Sequence, residues 1–185
     1  MTTTLGIRRE DKNDWEARAP LTPAQAGRLV SGGIPVAVQR SSQRCFPDEA
    51  YARAGARLVD AMDACPVVLG VKEIPVEQLL GGRTYVYFSH TIKGQPYNMP
   101  MLRHILDVGA SLLDYECVTD ERGRRLIAFG RQAGQAGMID SLWALGRRLE
   151  AEGCVTPLAE LRPAWRYGSL EAALEAVARA GRRLA

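Results

Sequence analysis

The stretch Phe88-Ser89-His90-Thr91-Ile92-Lys93-Gly94-Gln95 concentrates groups able to move protons and orient polar ligands. His90 is one of two histidines in the 185-residue chain. Its imidazole type serves as acid or base near neutral pH. Lys93 and Gln95 add a charged donor and an amide in the same loop. A second such place is Val71-Lys72-Glu73-Ile74-Pro75, where Lys72 follows an apolar run. A lysine held among apolar walls can act as a general base, because desolvation disfavours its charged form. Lys72 could equally be the ion-pair partner of Glu73 at a loop entrance.

Two arginines extend this inventory. Trp15-Glu16-Ala17-Arg18-Ala19-Pro20-Leu21-Thr22-Pro23 places Arg18 just before a helix cap. There a guanidinium suits a bidentate grip on a carboxylate, although a plain surface arginine fits the same pattern. Arg131 lies among Gly130, Gly134 and Gly137. That run is no phosphate loop: its spacing is G-x-x-x-G-x-x-G, and the Lys-Ser/Thr pair is missing. Its glycines are expected to let a helix pack closely on a sheet, leaving Arg131 as another carboxylate ligand. His104, inside a helical run beside Arg103, reads as facing solvent.

The elements that must hold these groups alternate between short apolar runs and helical patterns. This is the signature of a layered α/β domain, Rossmann-like or flavodoxin-like, with a mainly parallel sheet and helices on both faces. Strands are expected at 5–7, 35–38, 67–71, 84–88 and 111–114. Helices are expected from Pro23 behind a Thr22 cap, from Asp48, at 99–106, at 137–150 and behind Ser169, with a helical turn at 60–64. The last helix should bury Leu170, Leu174, Val177 and Leu184. Asp120-Glu121-Arg122-Gly123 is turn chemistry for a hairpin-like excursion. Lys72 and His90 then fall at strand ends, the edge where open α/β sheets take their ligands.

Composition narrows the class. With 46% hydrophobic and 24% charged residues the chain reads as one soluble globular domain spanning 1–185. A net charge of +3, with basic and acidic residues interspersed, argues against nucleic acid. The four cysteines lie far apart without metal-ligand spacing, so neither zinc nor a disulfide framework is expected. No signal or membrane-length segment is apparent, which makes the cytoplasm the expected location.

Several strings together carry a family resemblance: Leu5 to Lys12 (LGIRREDK), Trp15 to Pro23 (WEARAPLTP), Val71 to Pro75 (VKEIP), Tyr87 to Pro100 (YFSHTIKGQPYNMP) and Asp114-Tyr115-Glu116. The chain resembles the N-terminal domain of the alanine dehydrogenase and nicotinamide nucleotide transhydrogenase family. It is most similar to the branch comprising saccharopine dehydrogenase and the lysine–ketoglutarate reductase part of aminoadipic semialdehyde synthase. The FSHTIK and QPYNMP strings carry that branch assignment over the plainer alanine dehydrogenases.

The resemblance implies an oxidoreductase of lysine metabolism that interconverts saccharopine with lysine and 2-oxoglutarate. Lys72 and His90 match the family's proton-transfer pair. Arg18, Lys93, Gln95 and Arg131 match or approximate its carboxylate-holding groups. The family uses NAD or NADP, and no dinucleotide fingerprint occurs in this chain. The cofactor is therefore expected only through a partner chain or a further Rossmann domain absent here. The chain would act as the substrate half of a split enzyme, inactive alone. A non-catalytic amino-acid-binding or regulatory module, or a fragment, is the alternative.

Overall fold

The computed structural model describes residues 3–184. They form two compact units, one running to Ile127 and one beginning at Ala128. The first is an α/β layer structure. Its six strands are β1 (Leu5–Ile7), β2 (Val36–Gln39), β3 (Arg57–Val59), β4 (Val67–Leu69), β5 (Thr84–Tyr87) and β6 (Ser111–Asp114). All pair in parallel, in the order β3-β2-β1-β4-β5-β6. The chain winds outward from β1 to β3, then returns to lay β4 on the other side of β1. That reversal is the topological switch point of a doubly wound sheet.

Both faces are covered, as strand periodicity requires. Ile7, Val36 and Val38 are buried with Ala26 and Tyr51, which belong to α1 (Pro23–Ser31) and α2 (Asp48–Arg53). Ala37, between the two valines, turns the other way into a core with Val68, Tyr85, Tyr87, Met101 and Ile105. The last two come from α3 (Met99–Asp107). The expected cap of α1 is a full capping box. Thr22 Oγ1 accepts from Gln25 N at 3.3 Å, and Gln25 Oε1 accepts from Thr22 N at 2.8 Å.

Three local expectations are corrected in this unit. The edge strand β3 was not expected, because three residues that open on an arginine carry almost no strand periodicity. Residues 60–64 form a bend and a turn rather than helix. Asp60, just past the edge strand, is tied to β2 instead, its carbonyl accepting from Gln39 Nε2 at 3.1 Å. His104 is half-buried and bonded through Nε2 to Leu79 O at 3.1 Å, not free in solvent.

The second unit comprises α4 (Gly130–Ala151) and α5 (Leu170–Arg182), which share a core of Leu158, Leu161 and Ala180. α4 begins at Gly130, so the three glycines lie within the helix. A Cβ at Gly130, Gly134 or Gly137 would meet nothing within 4 Å, so these glycines make no close approach. The close-packing glycine is Gly146, pressed against the backbone of Leu158 and Ala159. α5 buries Ala173 and Ala180, with Val177 packed beside them, while Leu170, Leu174 and Leu184 stay exposed. Small residues form its inward stripe where leucines were expected. Among the described residues, no helix is long and apolar enough to cross a membrane.

Candidate active site at the carboxyl edge of the sheet

Parallel strands all present their carboxyl ends at one edge, so the segments leaving β1, β4, β5 and β6 converge there. These carry residues 8–18, 70–75, 88–98 and 114–117. β4 and β5 are neighbours, with Leu69 paired to Val86, so Lys72 and His90 leave adjacent strands. Phe88 N donates to Val71 O at 3.1 Å, which continues the ladder up to both residues.

Glu10 spans the switch point. Beyond Leu69 the β4 backbone loses β1 as a hydrogen-bond partner, because the two chains diverge. Glu10 Oε1 accepts from Val71 N at 2.8 Å and Oε2 from Lys72 N at 2.9 Å, supplying the missing acceptors. The carboxylate is almost wholly buried, with Arg8 Nη1 3.9 Å away. Burial pushes its pKa up, against the two amide hydrogen bonds and Arg8, with Glu16 pushing it further up. Lys72 itself is half-buried. It forms no salt bridge among the described residues: Glu73, its expected alternative partner, is held by Lys12 Nζ at 3.6 Å.

Arg18 is locked into a fork on Glu16, Nε to Oε1 at 2.7 Å and Nη2 to Oε2 at 2.5 Å. Nη1 makes no hydrogen bond among the described residues, and the half-exposed guanidinium offers that edge to a ligand. The loop is pinned from β2's side, where Gln43 Nε2 donates to Asn13 O and Glu16 O, each at 2.9 Å. Burial alone would raise Glu16, but the bonds and charge of Arg18, aided by Lys72, hold its carboxyl below the ordinary value of 4.5. The same hydrogen bond raises Arg18.

A depressed carboxyl stabilises the fold above the ordinary glutamate pKa, and that stability is lost as pH falls through the lower folded value. Glu16→Gln is expected to cost about 1 kcal/mol at neutral pH, discounted for the solvent around Arg18. Urea titrations of the two proteins should converge below pH 4.5, once Glu16 itself protonates. A constant difference across pH would show that the charge is not the cause.

His90 has φ 51°, in the left-handed region that non-glycine residues rarely enter. Its neighbours impose that turn. Ser89 is fully buried and donates to Asp114 Oδ2, while Asn98 Nδ2 donates to Ser89 O at 2.9 Å and His90 O at 3.3 Å. The ring stacks near Phe88, at 17° between planes, and its Nδ1 lies 3.6 Å from Glu116 Oε2. Asp114 also positions Glu116, whose backbone N donates to Oδ1 at 2.8 Å. Arg125 Nη1 holds the other Glu116 oxygen at 3.3 Å. Tyr115 packs on Phe88 at 5.0 Å, and burial, then the Glu10 charge, pushes its hydroxyl up to about 12, so it stays protonated.

Among the other expected ligands, Lys93 is exposed in the Thr91–Gly94 turn, closed by Gly94 N to Thr91 O at 2.8 Å. Gln95 is half-buried, its Oε1 enclosed and unpaired among the described residues. Arg131 belongs to the second unit, exposed in the first turn of α4. A recess of about 720 Å³ opens beside β1 and β2, lined by residues including Arg9, Glu10, Asn13, Ser41 and Arg44. Lys72 and His90 do not line it.

Sequence reasoning assigned no role to Glu10, Asn98, Asp114 or Glu116. Only the contacts they make around Lys72, Ser89 and His90 reveal one. Nor do the residues at this edge fit a dinucleotide. The β1–α1 connection holds buried Glu10 and Glu16 where such folds place glycines against a pyrophosphate. Among the described residues, no cluster of His, Cys, Asp and Glu could hold a metal ion.

Comparison with known proteins identifies the family. Residues 6–136 match the model of the alanine dehydrogenase/PNT N-terminal domain. The chain is 43% identical over 177 residues to the mitochondrial alpha-aminoadipic semialdehyde synthase of Rattus norvegicus, covering 96% of this chain and 19% of that protein. It is 38% identical over 135 residues to the saccharopine dehydrogenase (NAD(+), L-lysine-forming) of Emericella nidulans, covering 70% of this chain and 36% of that protein. The chain thus spans about a fifth to two-fifths of the length of these relatives. A solved L-alanine dehydrogenase superposes with a TM-score of 0.63 at 22% identity, over 81% of this chain and 42% of that one. The fold, the matched span and these likenesses together place the chain in the alanine dehydrogenase/PNT N-terminal domain family.

Proposed function

We propose that this chain is the substrate-binding and proton-transfer part of a saccharopine dehydrogenase-type oxidoreductase of lysine metabolism. One observation carries the reading: Lys72 and His90 leave adjacent strands at the ligand edge, to which the loop after β1 also brings Arg18, whose Nη1 has no hydrogen bond among the described residues. The likeness to two enzymes of saccharopine and aminoadipate chemistry supports it. Saccharopine, with its carboxylates, is a ligand that Arg18, Lys93 and Gln95 are suited to grip.

In this reading Lys72 takes the proton from the secondary amine as its carbon is oxidised. His90, oriented by Glu116, then serves the hydrolytic steps that release lysine and 2-oxoglutarate. The hydride acceptor would be a nicotinamide cofactor, NAD or NADP, held by a nucleotide-binding segment outside residues 1–185, on the same polypeptide or a partner chain. Closure of that segment over the edge would exclude water and strengthen the electrostatics.

Two measurements test this. Saccharopine should bind the 185-residue chain in calorimetry, and Arg18→Met should weaken binding about tenfold, the loss of one charge-assisted pair. Oxidation of saccharopine should appear once a nucleotide-binding chain is added with NAD(P)⁺. Binding without turnover in any such mixture would favour the amino-acid-binding module, and no binding at all would defeat both readings.

A further inference from the structure

We propose that Glu10 is the positioning residue for Lys72, a clasp across the switch point that fixes where the lysine side chain departs from the sheet. The inference rests on the reading of Lys72 as the base. It starts from a backbone problem peculiar to this place in the fold. Up to Leu69 the β4 chain has partners on both sides: Arg8 N donates to Leu69 O at 3.0 Å, and Gly70 N to Val86 O at 2.9 Å. One residue later β5 still holds the chain, through Phe88 N to Val71 O, but β1 has turned away.

A single carboxylate fills that gap, with one oxygen for each of two successive amides, from 61 and 62 residues away in sequence. Lys72 is therefore held at its backbone from β1's side by Glu10 and, one residue earlier, from β5's side by Phe88. The surroundings are shaped to keep the clasp seated. Arg8, almost completely buried, lies 3.9 Å from Glu10 Oε2, and its Nη2 is tied to Asp11 at 2.8 Å and Gln78 at 3.2 Å. Gly70 leaves the room that this needs: a Cβ there would meet Arg8 Cδ at 3.1 Å and Glu10 Oε1 at 3.5 Å.

Glu10→Gln keeps the shape but replaces one acceptor with an amide donor, which must face a backbone N–H. Gly70→Ala presses on the clasp and leaves every charge in place. The readout is the rate at which Lys72 in the 185-residue chain is acetylated by an activated ester, followed by mass spectrometry, with exposed Lys93 as the internal standard. Released from the clasp, half-buried Lys72 is expected to react about tenfold faster in Glu10→Gln, because losing a charge-assisted hydrogen bond favours local opening by about that factor. Gly70→Ala should change it in the same direction by a smaller factor.

Unchanged Lys72 reactivity in both variants would overturn the proposal. A change in Glu10→Gln alone would also overturn it, by showing that Glu10 acts through charge and not position. If Glu10→Gln does not fold, Gly70→Ala carries the test by itself. Where turnover is obtained, kcat should fall with KM for saccharopine within about twofold, because Lys72 is displaced and the carboxylate ligands are not. Protection of Lys72 by saccharopine in the wild type probes the functional reading separately. Its absence would defeat that reading and leave the clasp standing.

Discussion

Lys72→Met is expected to slow saccharopine oxidation by about 10²- to 10⁴-fold, the span that one positioned acid or base contributes. Methionine keeps the length and apolar body of the lysine stem and removes only the ammonium. Lys72 makes no salt bridge among the described residues, so the fold loses little besides its charge beside Glu16. The melting temperature should stay close to that of the wild type, and KM should change less than kcat. Equal rates in the two proteins would remove Lys72 from the mechanism. The companion substitution is His90→Asn rather than His90→Ala. Asparagine tolerates the backbone at φ 51°, so the loss reports the imidazole and not a relaxed loop.

Gly146→Ala is expected to destabilise the second unit by at least about 3 kcal/mol. In an open helix the same change would stabilise by roughly 1 kcal/mol, because alanine loses less conformational freedom on folding. Here the added methyl would land on the Leu158 carbonyl and 2.9 Å from Ala159 N. Those are backbone atoms of a short 3₁₀ turn at Pro157–Glu160, and they cannot rotate away. Overpacking strain of this kind exceeds the propensity gain. Gly134→Ala and Gly137→Ala, with nothing within 4 Å, supply the opposite sign in the same helix. Thermal melts of the three variants decide the matter: if Gly146→Ala is no less stable than wild type, the close contact is not real in solution.

The sheet was largely legible because its strands are short apolar runs bounded by turn residues, and Thr22, Pro23 and Ser169 announce helix starts by known chemistry. β3 was not, since Arg57–Val59 is an edge strand whose existence depends on β2 offering it a partner. The inward face of α5 was misread for a related reason. Leucines at helical spacing suggest a buried stripe, but a close crossing selects alanines, and spacing alone does not reveal the distance to the next element. At the site, the groups chemically able to move protons stood out by type, whereas those that hold them in place did not. Asp114 looks like any strand-end carboxylate until Ser89 and Glu116 are seen to share it.

The central place of β1 has a consequence for how the protein is made. β1 emerges first, yet it is flanked by β2 and by β4, whose partner residues Leu5 and Val67 lie far apart along the chain. Contacts of such long sequence separation form late and slowly. During synthesis Arg8, Glu10 and Glu16, all buried in the finished fold, must therefore stay in water until the fourth strand has left the ribosome. Nascent chains from which Val67 has not emerged should bind no ligand, and chains from which Glu116 has emerged should be the first that can.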